Sequence, residues 1–220
     1  MRGACDFSSR YSFSYGLVHM IVLSSEHPLA PQVEFFLKDM AALQRSVTPW
    51  VIVHMHRYAA PRMPLTGHST LVTPHSACRP PFSSCPRDKL DVELALTWHR
   101  LFVLYVLAVA PLSPPAVYFY FLCRWEIDFV MSGHVHYYER LCAVEDMYSC
   151  SAFRDRPIYI SDGSAGAEFE PLATPPSNLT MHKEFSYWGY SRFAVTAESL
   201  TFTHYRTNNL ESDKVMLLRK

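Results

Sequence analysis

Residues 128–140 read DFVMSGHVHYYER: a short apolar run, a Ser-Gly turn, then two histidines two residues apart. A second apolar run, Trp50–Val53, also leads into histidines, His54 and His56. Short apolar runs bounded by turn residues read as strands. In parallel α/β sheets, ligands collect in the crevice beyond the carboxyl ends of the strands. Side chains at i and i+2 of an extended chain point the same way, so His134 and His136 are expected to face one crevice, with Gly133 leaving room for close approach. Imidazole is the commonest nitrogen ligand of zinc and iron. The chain has 11 histidines, however, so the residues alone leave open a metal pair and ordinary surface or core histidines.

The rest of the chain supplies the frame. Tyr11, Phe13 and Tyr15 alternate with serines, which predicts a strand with one buried face. Gly16 breaks it, and VHMIVLS follows as a second, more apolar strand. In PQVEFFLKDMAALQRS the period changes: Val33, Phe36, Leu37, Met40 and Leu43 fall at helical spacing, with Pro31 near the helix start. IDFVMSG and PIYISDGSAG read as further strands closing in glycine turns, and YSRFAVTAESLTFTHYRTN as a β-hairpin around Ala197–Ser199. Strands alternating with helices, then a strand-rich C-terminal half, predict an α/β layered fold with sheet packed on sheet. KLDVELALTWHRLF carries another helical pattern, and residues 58–90, rich in proline, serine and threonine, read as one long loop.

The stretch 101–123 is apolar over about the roughly 20 residues of a membrane span, but Pro111, Pro114 and Pro115 interrupt it. It reads as a hydrophobic hairpin dipping into a membrane, a buried pair of segments, or an insertion foreign to the fold, and the last is preferred. Lysine plus arginine equals aspartate plus glutamate at 20 each, and no basic run stands out, so nothing favours a nucleic-acid partner. None of the six cysteines forms a CxxC pair, which argues against a zinc ribbon or thioredoxin-like site. Cys78/Cys85 and Cys142/Cys150 are spaced for local disulfides in an oxidising compartment, where the sequon at Asn178 would also count. Met1–Tyr15 has no apolar signal-peptide core, so the chain is expected either to be cytosolic or to begin upstream of what is shown.

Longer strings carry a resemblance. GHVHYYER resembles the GHVHxYER signature of purple acid phosphatases, within the metallophosphoesterase superfamily. YSFSYGLVHMIVLSSEH, DMAALQRSVTPWVIVHMHR, PIYISDGSAGAEFE and the terminal GYSRFAVTAESLTFTHYRT resemble further segments of that family, in its order. The resemblance runs from about residue 9 to the C-terminus of residues 1–220, excepting the atypical loop 58–90 and the apolar insert 101–123, and covers only the C-terminal portion of the family's catalytic domain. It implies a partial metallophosphoesterase-type β-sandwich flanked by helices, in α-β-β-α layers. It also implies a secreted or vacuolar/lysosomal acid phosphatase that hydrolyses phosphate monoesters. The family's centre is dinuclear: iron(III) with zinc, manganese or iron(II). By this resemblance His56 and His134 correspond to imidazoles at the divalent ion and His136 to one at the iron. Tyr138, Glu139 and Arg140 would orient the histidine loop, and His54 is incidental.

The resemblance also fails in places. The Asp of the family's DxG segment, the Asp and Tyr of GDxxY, and the Asn of GNHE have no counterparts here, nor does the proton-donating histidine of GNHE. All would lie upstream of Tyr11. Three neutral imidazoles would hold at most one divalent ion, zinc for example, and weakly. The loop after His56 reads RYAAPRMP instead of the family's RPMY, with His68 and His75 as substrate-facing alternatives. Two functional expectations follow: part of an acid phosphatase, or a non-catalytic metal-binding remnant acting as a binding or regulatory protein.

Overall fold

The computed structural model describes residues 9–27, 29–57, 125–143, 150, 157–169 and 178–219. The loop 58–90, the helical pattern at 89–102, the apolar stretch 101–123, Cys78, Cys85, His68 and His75 lie outside these residues.

Ten strands and one helix make up the described fold: β1 (Tyr11–Tyr15), β2 (Val18–Val22), α1 (Leu29–Ala42), β3 (Trp50–His54), β4 (Phe129–Ser132), β5 (Tyr138–Ala143), β6 (Ile158–Asp162), β7 (Thr180–Glu184), β8 (Gly189–Val195), β9 (Ser199–Arg206) and β10 (Glu211–Leu218). Seven strands form one sheet in the order β1-β2-β3-β4-β6-β5-β7, and β10-β9-β8 form a second. Strands β2, β3, β4 and β6 run parallel, so their carboxyl ends open on one edge. Strands β1, β5 and β7 are antiparallel to their neighbours, as are all three strands of the second sheet.

Strand β3 shows why the sequence reads as continuously apolar. Alternate residues of a strand face opposite sides of its sheet, and this one is covered on both. Val51 and Val53 enter the core under α1 with Val33, Phe36, Leu37 and Met40. Trp50 and Ile52 enter the core between the sheets with Phe129, Ile158, Ile160, Leu200 and Phe202. The four helix side chains recur at 33, 36, 37 and 40, the helical period, and burying each stabilises the fold by about 1.5–3 kcal/mol. Trp50 also ties the layers, its Nε1 donating to the Thr196 carbonyl at 2.7 Å.

The α/β sandwich expected from the sequence is therefore present, with α1 on one face of the seven-stranded sheet and the second sheet on the other. Strand β1 departs from expectation. Its aromatics Tyr11, Phe13 and Tyr15 are 52%, 48% and 83% exposed. The serines carry the polar contacts instead: half-buried Ser12 donates from Oγ to Asp39 Oδ1 on α1 at 2.6 Å, and Ser14 Oγ meets His19 Nδ1 at 2.9 Å. His19 Nε2 contacts Asp39 Oδ2 at 2.6 Å, so a polar network, and not an apolar face, fixes this edge strand. Strands β5 and β7 were not foreseen, because polar residues interrupt their apolar pattern.

Candidate functional site

Strands β3 and β4 are adjacent, with His54 opposite Met131, so both histidine groups emerge side by side from the same edge of the sheet. The His56 carbonyl accepts hydrogen bonds from the amides of both Gly133 and His134, each at 3.0 Å. This pair of bonds fixes one histidine segment against the other. The imidazoles then meet: His56 Nε2 and His134 Nδ1 are 3.2 Å apart, and their centroids 5.0 Å apart at 75°. Two nitrogens on one tetrahedral zinc, with bonds of about 2.05 Å, would sit roughly 3.3 Å apart. A hydrogen bond between the two rings accounts for the same 3.2 Å spacing, which is thus compatible with a shared ion without placing one there.

The backbone through His134 and His136 is not the extended strand expected from the sequence. Residues 134–137 bend, and the Tyr137 amide donates back to the Val135 carbonyl at 2.9 Å. Val135 and Tyr137 are nevertheless buried, while His134 is exposed and His136 half-buried. His136 instead donates from Nδ1 to the Glu168 carbonyl at 2.9 Å. A carbonyl can only accept, so this bond places the ring's lone pair on Nε2. Among the described residues, no three His, Cys, Asp or Glu side chains converge as a metal-binding group.

Gly133 has open space around it, and the tight approach lies elsewhere. A Cβ on Gly133 would meet nothing within 4 Å, whereas one on Gly163 would overlap the carbonyl oxygens of Val135 and Gly133. Gly163 follows β6, and its amide donates to the Tyr137 carbonyl at 3.1 Å. The glycine that permits the histidine bend thus belongs to the neighbouring strand.

Two residues beside the histidines were not singled out from sequence. Glu26, in the turn after β2, accepts from Arg57 Nε at 2.5 Å. Hydrogen bonds from Ser25 and Arg57 hold its carboxyl below the usual range, with a smaller contribution from the nearby His134. Buried Gln32 fixes that turn, accepting from the Ser24 amide at 2.7 Å and donating to the Ser24 and His27 carbonyls. His54 is half-buried, and burial, then the neighbouring His56, push its imidazole below its ordinary range.

Tyr138, Glu139 and Arg140 lie on β5. Arg140 donates to both Asp213 oxygens, at 2.6 and 2.8 Å, and Tyr138 donates its hydroxyl to the same carboxylate at 2.7 Å. Glu139, on the opposite face of the strand, accepts from Thr180 Oγ1 at 2.7 Å. Burial raises the Asp213 carboxyl, but the bonds from Arg140 and Tyr138 outweigh it and hold it below the usual range. Burial, then the Asp213 charge, drive the Tyr138 hydroxyl far upward. Asp162 at the end of β6 behaves like Asp213: burial opposes its charge, while His204, Ser191 and Ser164 together hold it low. Cys142 and Cys150 form a disulfide at the far end of β5, and Asn178 is exposed at the turn into β7.

Residues 156–215 match the family described as iron/zinc purple acid phosphatase-like protein C. The chain is 27% identical to acid phosphatase A of Cryphonectria parasitica, over 91% of this chain and 34% of that protein. It is 23% identical to "Probable inactive purple acid phosphatase 9" of Arabidopsis thaliana, over 94% of this chain and 28% of that protein. It thus spans about a third of the length of these curated relatives, 34% and 28% respectively. The solved structure of purple acid phosphatase PPD1 from yellow lupin (Lupinus luteus) seeds superposes with a TM-score of 0.65 at 19% identity, over 96% of this chain and 33% of that one, which shows a shared fold. The resemblance to the purple acid phosphatases seen in the sequence is borne out by these matches.

Proposed function

From this place among the relatives of purple acid phosphatases, we propose that the chain is the C-terminal portion of a metal-dependent phosphate-monoester hydrolase, with His56, His134 and His136 as its imidazole ligands. The observation that carries the reading is the 3.2 Å approach of His56 and His134 at the carboxyl ends of adjacent parallel strands. The Glu168 carbonyl supports it by fixing the tautomer of His136, as outer partners of ligating histidines do.

Iron(III) with zinc, manganese or iron(II) would supply Lewis-acid chemistry in a complete family site. The described residues do not fit that dinuclear group. Three neutral imidazoles bring no charge to offset two such ions, and Glu26, in the turn after β2, is paired with Arg57. The reading for this chain is one divalent ion, zinc for example, held chiefly by His56 and His134, with His136 the imidazole that would serve the other ion of a complete family site. A disulfide at Cys142–Cys150 supports an oxidising compartment, secreted or vacuolar, in which exposed Asn178 would accept a glycan.

The absence of a converging three-ligand group among the described residues favours a second reading, a metal-binding remnant without turnover. Zinc titration followed by hydrolysis of phenyl phosphate at acidic pH separates the two. Zinc binding with turnover supports the hydrolase, and zinc binding with background turnover supports the remnant. No zinc binding defeats both.

A further inference from the structure

We propose that Phe169 and Trp188 form an aromatic platform beside His136 that receives the aryl group of a phosphate monoester. This rests on the phosphatase reading and names the substrate class of that same site. Three consecutive residues after β6 tie the pair to His136. Glu168 accepts from His136 Nδ1 at 2.9 Å. The residue before it, Ala167, accepts from Trp188 Nε1 at 2.9 Å. The residue after it, Phe169, stacks on the Trp188 ring, centroids 5.9 Å apart and planes within 24°. Successive Cα atoms lie about 3.8 Å apart, so the aromatic pair is held within one residue of the carbonyl that anchors His136.

Trp188 remains 47% exposed although its N–H is bonded and its ring is stacked. Its polar atom is satisfied and its rotamer is fixed by two contacts, so an incoming planar group meets an ordered apolar surface and little side-chain entropy is lost on binding. An ester whose phosphoryl group lies at the histidines could lay a ring on this pair, whereas a short alkyl group would leave the platform wet.

Calorimetric titration of the zinc-equilibrated protein with phenyl phosphate and with ethyl phosphate tests the platform. Aromatic pairing predicts that phenyl phosphate binds about 3–10-fold more tightly than ethyl phosphate. Trp188→Ala is expected to collapse that ratio to near one, and Trp188→Phe, which keeps a stacking ring, to restore most of it. Equal binding of the two esters, or a preference that survives in Trp188→Ala, overturns the platform and leaves the phosphate reading standing. Failure of both esters to bind overturns the phosphate reading and the platform with it.

Discussion

Arg140 on β5 grips Asp213 on β10 through two hydrogen bonds, Nε to Oδ2 at 2.6 Å and Nη2 to Oδ1 at 2.8 Å. Both side chains are largely sheltered from solvent, and the pair joins the two sheets. Removing one partner strands the other charge. Arg140→Ala is expected to lower unfolding free energy by about 3 kcal/mol, and Arg140→Met with Asp213→Leu to recover much of it. Urea denaturation of the single and double variants measures both.

The same carboxylate sets an acid limit. Asp213 and Asp162 titrate lower in the fold than in an unfolded chain. Their contribution is complete above the unfolded value of about 3.9 and is lost as pH falls through the folded values. Melting temperature should therefore hold steady through mildly acidic pH and decline below about pH 4. Asp213→Asn should lower the plateau and flatten that decline. A decline of unchanged steepness would show that other groups set the acid limit.

Gly163→Ala would push a methyl group into the Val135 and Gly133 carbonyls on either side of His134. Overpacking of this kind costs about 1–3 kcal/mol, and here the backbone that must yield is the histidine bend. The variant should lose zinc affinity as well as stability. Gly133→Ala, where a Cβ has open space, should lose much less of either.

Histidine variants separate ligands from bystanders. His56→Ala and His134→Ala should each weaken zinc binding at least tenfold, and His136→Ala to a lesser degree, while His54→Ala keeps it within about twofold. Chelation should lower the melting temperature of the wild type and leave that of His56→Ala unmoved. Thermal unfolding with and without chelator reads this directly.

The Cys142–Cys150 bond closes a short loop, with a sequence separation of 8. Chain-entropy bookkeeping assigns about 2.5 kcal/mol to a loop of that size. Reductant should lower the melting temperature of the wild type and leave that of Cys150→Ser unchanged.

Much of this protein was legible in its order of residues. Periodicity located α1 and the strands of the parallel core because both faces of those strands are covered, so apolar residues run without a break. The GHVHYYER string and its companions marked the resemblance to a family, and the strand-end histidines marked the edge of the sheet where ligands of parallel sheets gather. What the residue pattern misread was governed by long-range contact. The aromatics of β1 looked buried, but that Ser12 and not Phe13 turns toward the protein depends on Asp39 and His19, which sit on other elements. Strand β5 was hidden because Tyr138, Glu139 and Arg140 find polar partners on β7 and β10.

By itself, then, the sequence determined the layered α/β architecture, the strand ends that carry the histidines and the family they resemble, since these follow from local period and short strings. Only the tertiary structure decided which histidines meet. His56 and His134 are 78 residues apart, and their 3.2 Å approach depends on β3 and β4 pairing in register and on two amides converging on the His56 carbonyl. The bend that turns His136 toward Glu168 depends in turn on a bare Cα at Gly163, one strand away. Spacing along the chain cannot encode such distances, because they are set by how strands pack and not by how residues follow one another.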